Sequence, residues 1–268
     1  MKTQDFFSTH PVFTYEEFAG YLTEKDSCNV KTRESLLSHY IKTGRILRVR
    51  RGLYLTVPHG YTADKCPFDP YLVASKMAPD SVLAYHTALE LHGKAYSMRE
   101  DLFYMTVSHT RPLNFRGQRY QGVAFPLKLK KKGLESFGVA TVERSGLDVR
   151  VTSLERTLVD VLDRPSVCGT WEEIWRSLEM VEFFDLDKVV EYASQLGNAT
   201  TAAKVGFFLE QHRSALMSDD AHLDRLMAIK PVRPHYMDNK GRKGGRFMKR
   251  WNLVVPDEIV ERRWEEML

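Results

Sequence analysis

The chain has 268 residues, 43% of them hydrophobic and 28% charged, which suits a globular protein with room for two domains and excludes a disordered or collagen-like chain. A formal net charge of +4 is too mild to name a partner, so the local grouping of charge has to carry that information. Cys28, Cys66 and Cys168 are odd in number and far apart, which argues against a disulfide framework or structural zinc and fits a reducing cytoplasm.

In chain order, the first start signal is Thr14-Tyr15-Glu16-Glu17. Thr14 can accept from the N3 amide while Glu17 reaches back, and Phe18, Tyr21 and Leu22 give the helix an apolar face. A polar turn over 24–29 leads to a second helix over 30–43. At 100° per residue, Leu36, Leu37, Tyr40 and Ile41 share one face of it. Lys31, Thr32, Ser35, Ser38, His39 and Lys42 share the other. Next comes Gly44-Arg45-Ile46-Leu47-Arg48-Val49-Arg50-Arg51-Gly52-Leu53-Tyr54-Leu55. Gly52 accepts positive φ without a Cβ clash, so this stretch predicts a short β-hairpin that needs the helix beneath it. Helix, turn, helix and basic hairpin together outline a winged helix-turn-helix. The second helix would enter the major groove, and Arg45, Arg48, Arg50 and Arg51 would meet phosphate or the minor groove. Cationic edges also deter strand pairing, so a merely solvated edge is the competing explanation. Between 31 and 51 the basic residues are opposed only by Glu34, a concentration that favours nucleic acid.

Val57-Pro58-His59-Gly60, Cys66-Pro67 and Asp69-Pro70 interrupt the pattern, which places a boundary between residues 1–62 and 63–268. Helices are expected over 70–77 and 81–92, the latter capped by Asp80 and ended by Gly93. His86 and Glu90 share a face of that helix and His92 points elsewhere, which fits a polar pair in a packed helix better than a metal site. From 101 to 151 the period shortens to two. Strands are expected at 102–107, 114–125, 138–144 and 148–151, with turns at Arg116-Gly117, Gln121-Gly122 and Ser145-Gly146. Lys128, Lys130, Lys131 and Lys132 form a basic run, either a solvated strand end or loop, or a further nucleic-acid contact.

A helical array follows over about 152–230. Thr152 and Glu155 suggest a capping box; Leu154, Leu158, Val161 and Leu162 form its buried stripe; and Arg156, Asp160 and Arg164 form an i,i+4 ladder. Further helices are expected at 171–181, 185–196, 199–214 and 219–228; the acidic residues over 172–191 form a solvated face, or one that receives a basic partner or keeps that side away from DNA. Residues 231–268 hold a basic loop with Lys240, Arg242, Lys243, Arg246, Lys249 and Arg250, then a strand and a final helix capped by Asp257. The glycines of that loop lack P-loop spacing, so contact with a nucleic-acid backbone is the stronger expectation. The fold class is therefore α+β, a winged helix-turn-helix followed by a larger mixed α/β domain. No catalytic signature is present: Asp238-Asn239-Lys240 is the only Asp-x-Lys that could serve a nuclease, and it lies in a polar loop. No cofactor or metal is expected. Neither a run of about 18 apolar residues nor an apolar stretch behind Met1-Lys2-Thr3-Gln4-Asp5 exists, so neither membrane span nor signal peptide is expected.

Three stretches in this order carry a resemblance: residues 44–54, Tyr85-His86-Thr87-Ala88-Leu89-Glu90-Leu91-His92-Gly93, and Ser153-Leu154-Glu155-Arg156-Thr157-Leu158-Val159-Asp160. Over roughly residues 12–215 the chain resembles the AbiEi antitoxins of bacterial abortive-infection toxin–antitoxin pairs. The resemblance implies an N-terminal winged helix, a larger antitoxin domain, and repression of the protein's own promoter through inverted repeats. It also implies action against a nucleotidyltransferase toxin encoded alongside, without a tight complex (type IV). It places DNA contact on the 30–43 helix and the wing arginines and gives the other two motifs no chemical role. Two other functions stay open on the residues alone: a transcription regulator whose C-terminal domain binds a small effector, and a DNA-processing enzyme.

Overall fold

A computed structural model of the chain describes residues 3–24, 29–238, 245–262 and 264. Helix α1 (Gln4–Thr9) and strand β1 (Val12–Thr14) lead into α2 (Tyr15–Glu24), α3 (Val30–Lys42), β2 (Ile46–Arg50) and β3 (Leu53–Thr56). The middle of the chain holds α4 (Pro70–Ser75), β4 (Val82–Leu83), α5 (His86–Leu91), β5 (Asp101–Thr106), β6 (Leu113–Phe115) and β7 (Gln118–Ala124). Then come α6 (Leu127–Lys132), β8 (Val139–Arg144), β9 (Leu147–Thr152), α7 (Leu154–Asp163), α8 (Trp171–Glu179) and α9 (Leu186–Leu196). The chain continues with α10 (Ala199–Gln211), α11 (Arg213–Leu216), α12 (Asp220–Met227), β10 (His235–Tyr236), β11 (Arg246–Met248), β12 (Leu253–Val255) and α13 (Asp257–Glu261). Helices and strands in these proportions make the α+β class expected from the sequence.

Packing groups the residues into two units. The first is Met1–Leu83 with Glu100–Gly122 and Thr141–Arg150, and the second is Ala84–Arg99 with Val123–Ala140 and Val151–Leu268. The winged helix thus shares its unit with sheet strands. The division expected at 62/63 concerns independent folding, a different property from packing.

In the first unit, β1, β3 and β2 form a sheet in that order, both pairs antiparallel. Under it Phe6, Phe7, Phe13, Phe18, Leu22, Leu37, Ile46 and Tyr54 form one core. Its rings meet mostly edge-on or tilted, as at Phe6–Phe13 (5.2 Å) and Phe7–Tyr40 (5.1 Å), the arrangement the ring quadrupole favours. Helix α1 and strand β1 are additions to the sequence expectation. The first is six residues long and the second three, too short for a period to show.

The six-stranded sheet runs β6-β7-β5-β4-β9-β8. Two of its hairpins turn at Arg116-Gly117 (φ 49° and 81°) and Ser145-Gly146 (φ 52° and 76°), as expected. Positive φ at both central residues matches the twist of the flanking strands. Gln121-Gly122, expected as a turn, lies within β7 instead. A Cβ on Gly122 would come within 2.1 Å of Thr110 Oγ1 and 3.2 Å of the Tyr104 ring, so glycine marks a close approach there and not a reversal. The helix expected over 81–92 is also corrected. Val82–Leu83 pair antiparallel with Met105 and Tyr104, and the helix starts only at His86. Asp80 caps no helix; its carboxylate accepts from Thr106 Oγ1 (2.5 Å) and the Val107 amide (2.6 Å).

The second unit is mainly the helical array, whose starts follow side-chain caps: Ser153, Thr170, Asp185, Asn198 and Asp219 each accept from a backbone amide of the first turn. Ser153, not Thr152, caps α7; the Thr152 hydroxyl bonds Thr157 Oγ1 at 2.7 Å. Pro256 holds the cap position of α13, and Asp257 sits in its first turn. Helix α13 ends at Glu261, where Arg262 takes φ 49°, earlier than the final helix expected from the sequence; residues 263 and 265–268 lie outside the described residues. Residues 127–132 form helix α6, neither strand end nor loop, because leucine and lysine favour helix and Gly133 (φ 66°) closes it.

Candidate nucleic-acid interface

The surface of interest is built by α2, α3 and the β2–β3 wing of the first unit. The Thr14 amide donates to Glu17 Oε2 at 2.7 Å and the Glu17 amide to Thr14 Oγ1 at 3.2 Å, so the predicted capping box sets the start of α2. Asn29 Oδ1 accepts from the Thr32 amide (2.9 Å) and the Thr32 hydroxyl (3.0 Å), which fixes the start of α3 and occupies the Thr32 side chain. Arg33 Nη2 donates to Thr23 Oγ1 (2.8 Å) and ties α3 to α2. Leu37 is buried in the core, with Leu36, Tyr40 and Ile41 packed beside it. The opposite face is open: Lys31, Thr32, Ser35, Ser38, His39 and Lys42 are all on it, none of them buried. Helical periodicity alone located this face.

In the wing, the pairing passes from Arg48↔Tyr54 to Arg50↔Leu53, leaving Val49 as a β-bulge. Val49 turns into the core while Arg48 and Arg50 stay exposed, and Gly52 (φ 80°) closes the tip. The four wing arginines differ in their neighbours. Arg45 lies over the Phe7 ring at 5.5 Å and Arg48 over Tyr54 at 6.0 Å, both at cation–π range. Arg50 Nη2 donates to the Met77 carbonyl at 2.7 Å and Nη1 to the Arg51 carbonyl at 3.3 Å. Arg51 is exposed, and its side chain has no hydrogen bond or ion pair among the described residues. Between α3 and the wing runs an open cleft of about 590 Å³ lined by Glu16, Glu34, Ser38, Arg48 and Arg51.

Sequence reasoning missed Arg150 and Arg111, both exposed. Arg150 lines a groove with Arg50 and Arg51, and Arg111 lines another with Arg50 and Met77. No local signal marks them, since the β9 and β5–β6 segments are brought there by the fold. The other basic residues singled out from sequence lie elsewhere. Lys128 Nζ donates to the Gly197 carbonyl, and Lys132 Nζ to the Gln195 side-chain carbonyl at 2.9 Å. Both therefore serve the C-terminal end of α9, where a cation meets the negative end of the helix dipole. Lys130 and Lys131 are exposed. Arg246 pairs with Glu261 at 2.8 Å. Lys240, Arg242 and Lys243 lie outside the described residues.

Several polar side chains of the second unit are buried. His86 is buried, with Nε2 at 2.8 Å from the Ser97 carbonyl and 3.4 Å from Glu90 Oε1. The ladder expected over Arg156, Asp160 and Arg164 forms only in its first step, because Arg164 is half-buried and pairs with Asp163 at 3.7 Å. Arg156 and Asp160 are both buried and 3.2 Å apart, Tyr192 OH donates to Asp160 at 2.7 Å, and Arg156 Nη1 donates to the carbonyls of Glu135 and Phe137. Burial pushes the Asp160 carboxyl up from its usual range, against the pull of Arg156 and Tyr192. Burial also pushes the Cys168 thiol up, so it stays protonated and a poor nucleophile. Among the described residues no group of His, Cys, Asp and Glu is placed to hold a metal, and no helix is long and apolar enough to cross a membrane.

Residues 1–57 match the model of a family described as "Transcriptional regulator, AbiEi antitoxin". The matched segment ends with the wing, so the resemblance drawn from the sequence is borne out over these residues. A crystal structure of the RV2827C protein from Mycobacterium tuberculosis is similar to this chain with a TM-score of 0.62. The similarity covers 95% of this chain and 90% of that one at 17% identity, which shows a shared fold alone. No curated protein matches the chain.

Proposed function

We propose that the protein is an antitoxin and DNA-binding autorepressor that recognises inverted repeats in its own promoter and counteracts a nucleotidyltransferase toxin encoded beside it. The observation that carries this reading is the pairing of an AbiEi-type match over residues 1–57 with an open, polar α3 face flanked by exposed wing arginines. Lys31, Ser35, Ser38, His39 and Lys42 would meet base edges and phosphates in the major groove, and Arg45, Arg48 and Arg51 the flanking backbone. Thr32, held by Asn29, would contribute chiefly by placing its helix turn.

The test is a titration of the full chain against duplex DNA from upstream of its own gene and against a scrambled duplex. Growth of cells co-expressing the neighbouring toxin is followed in parallel. Preferential, salt-sensitive binding together with rescue supports the reading. Equal binding to both duplexes removes the repressor, and no rescue removes the antitoxin. Residues 1–62 should bind DNA weakly alone and fail to rescue; full rescue by that fragment would overturn the two-domain division. A weak result is expected because the fragment lacks Lys76 and Met77, which contact Glu17 and Arg50.

A further inference from the structure

We infer that Arg50, in the middle of the basic wing, is a positioning residue and not a phosphate ligand: it clamps the wing to the Lys76–Met77 turn and so sets where the wing stands beside α3. This rests on the DNA-binding reading above. Three observations within the first unit carry it. First, the Arg50 guanidinium is already committed, Nη2 to the Met77 carbonyl at 2.7 Å and Nη1 to the Arg51 carbonyl at 3.3 Å. A carbonyl accepting from a charged donor makes one of the stronger hydrogen bonds, and a guanidinium that turned to a phosphate would leave the Met77 carbonyl without it. Second, the neighbouring residue of the same turn holds α2. Lys76 Nζ contacts Glu17 Oε1, and Glu17 is also the carboxylate that closes the α2 capping box. Adjacent residues 76 and 77 therefore grip the two flanks of the DNA-facing surface, the start of α2 and the wing tip. Third, the β-bulge at Val49 sends Arg50 to the other side of the ribbon from Arg48. Arg48 pairs with Tyr54 and Arg50 with Leu53, successive residues of β3 that face opposite sides, whereas regular alternation would put residues 48 and 50 on one side. Arg51, one residue on, has no such partner among the described residues and is free to meet DNA.

The two roles differ in what they do to salt dependence. A phosphate ligand releases counterions, so its loss lowers the slope of log affinity against log salt by about 0.9 and weakens all sequences alike. A positioning residue leaves the slope alone. Its loss lets the wing shift against α3, which weakens the operator, where register matters, more than a scrambled duplex.

The experiment is a salt titration of the full chain and its Arg50→Gln, Arg50→Lys and Arg51→Gln variants on operator and scrambled duplexes, with circular dichroism as the folding check. For Arg51→Gln both duplexes should weaken by the same factor and the slope should fall by about 0.9. For Arg50→Gln the slope should equal that of the wild type, while the operator-to-scrambled affinity ratio falls on the order of tenfold, the size of one good base pairing by a side chain. Arg50→Lys keeps the charge and can still donate to Met77, so it should recover part of the ratio, and it supplies the comparison if the glutamine variant does not fold. A drop in slope for Arg50→Gln, with both duplexes weakened equally, would make Arg50 a phosphate ligand and overturn the inference. An unchanged ratio with an unchanged slope would overturn it too, because the clamp would then have no bearing on recognition. If the wild type itself shows no operator preference, the failure belongs to the DNA-binding reading.

Discussion

Arg51 in the wing and Arg156 in α7 are the same residue type with opposite surroundings. Arg51 is exposed and without a side-chain partner among the described residues, whereas Arg156 is buried against Asp160, the Tyr192 ring at 5.1 Å and two backbone carbonyls. A charge left in water keeps its hydration until a ligand takes it, so it is available for binding and contributes little to stability. A charge withdrawn from water has to be matched inside the protein, and removing its match is costly. Burial works against the Arg156 charge, yet Asp160, Tyr192 and Tyr85 together outweigh it and hold the guanidinium protonated. The lesson concerns where function can reside. The wing turns Arg51 outward to a surface, while α7 turns Arg156 and Asp160 inward to the protein's own structure.

The largest effect that could break this comparison is at the buried pair. Asp160→Ala strands the Arg156 guanidinium, and chemical denaturation should register a loss of about 3–5 kcal/mol. A loss below about 1 kcal/mol would put Arg156 in the same class as the exposed wing arginines. The next is at Lys204, which is buried, donates to the Leu162 carbonyl at 2.9 Å and lies over the Trp171 ring at 5.5 Å. Burial, against the opposing pull of Asp163 and Asp238, lowers its pKa from 10.5 to about 8. Between those two values the unfolded chain binds more protons than the folded one, so stability should rise with pH from about 8 and level off above 10.5. Below that window the folded state carries the whole cost of charging the amine, about 3 kcal/mol. Lys204→Met should abolish the rise, as thermal melts across that pH range would reveal; an identical rise in the variant would assign it to another group.

On the outward side, Ser35→Ala and Ser38→Ala should leave folding intact and relax sequence preference, by about 1–3 kcal/mol for each side chain that reads a base. Competition between operator and scrambled duplexes measures this, and unchanged discrimination in both variants would mean that α3 presents another face to DNA. The smallest effect is expected at Lys130 and Lys131. Both are exposed, so alanine at either should change stability by no more than about 0.5 kcal/mol. A larger loss of DNA affinity there would give the second unit an outward-facing role after all.

Much of the candidate interface is legible in the sequence. Periodicity separated Leu37 and Tyr40 from Ser35 and Ser38, Thr14 and Glu17 announced the start of α2, and Gly52 announced the wing tip. These are local signals: they depend on spacing within one turn or one reversal, which the backbone geometry of a helix or hairpin imposes whatever surrounds it. Short elements escape because they carry too few residues to show a period, as with α1 and β1, and the spacing around β4 reads as helix because two buried apolar residues fit either shape. What only the tertiary structure decided was the fate of individual charges. Arg50 finds its acceptor 27 residues away and Lys128 finds its own 69 away, separations across which a sequence pattern carries no signal. Arg156 lies on the polar side of its helix stripe by spacing, yet it is buried because residues 135–137 and Tyr192 close over it. The periodicity of one helix specifies which residues share a face; whether that face meets water or another segment is settled by long-range packing.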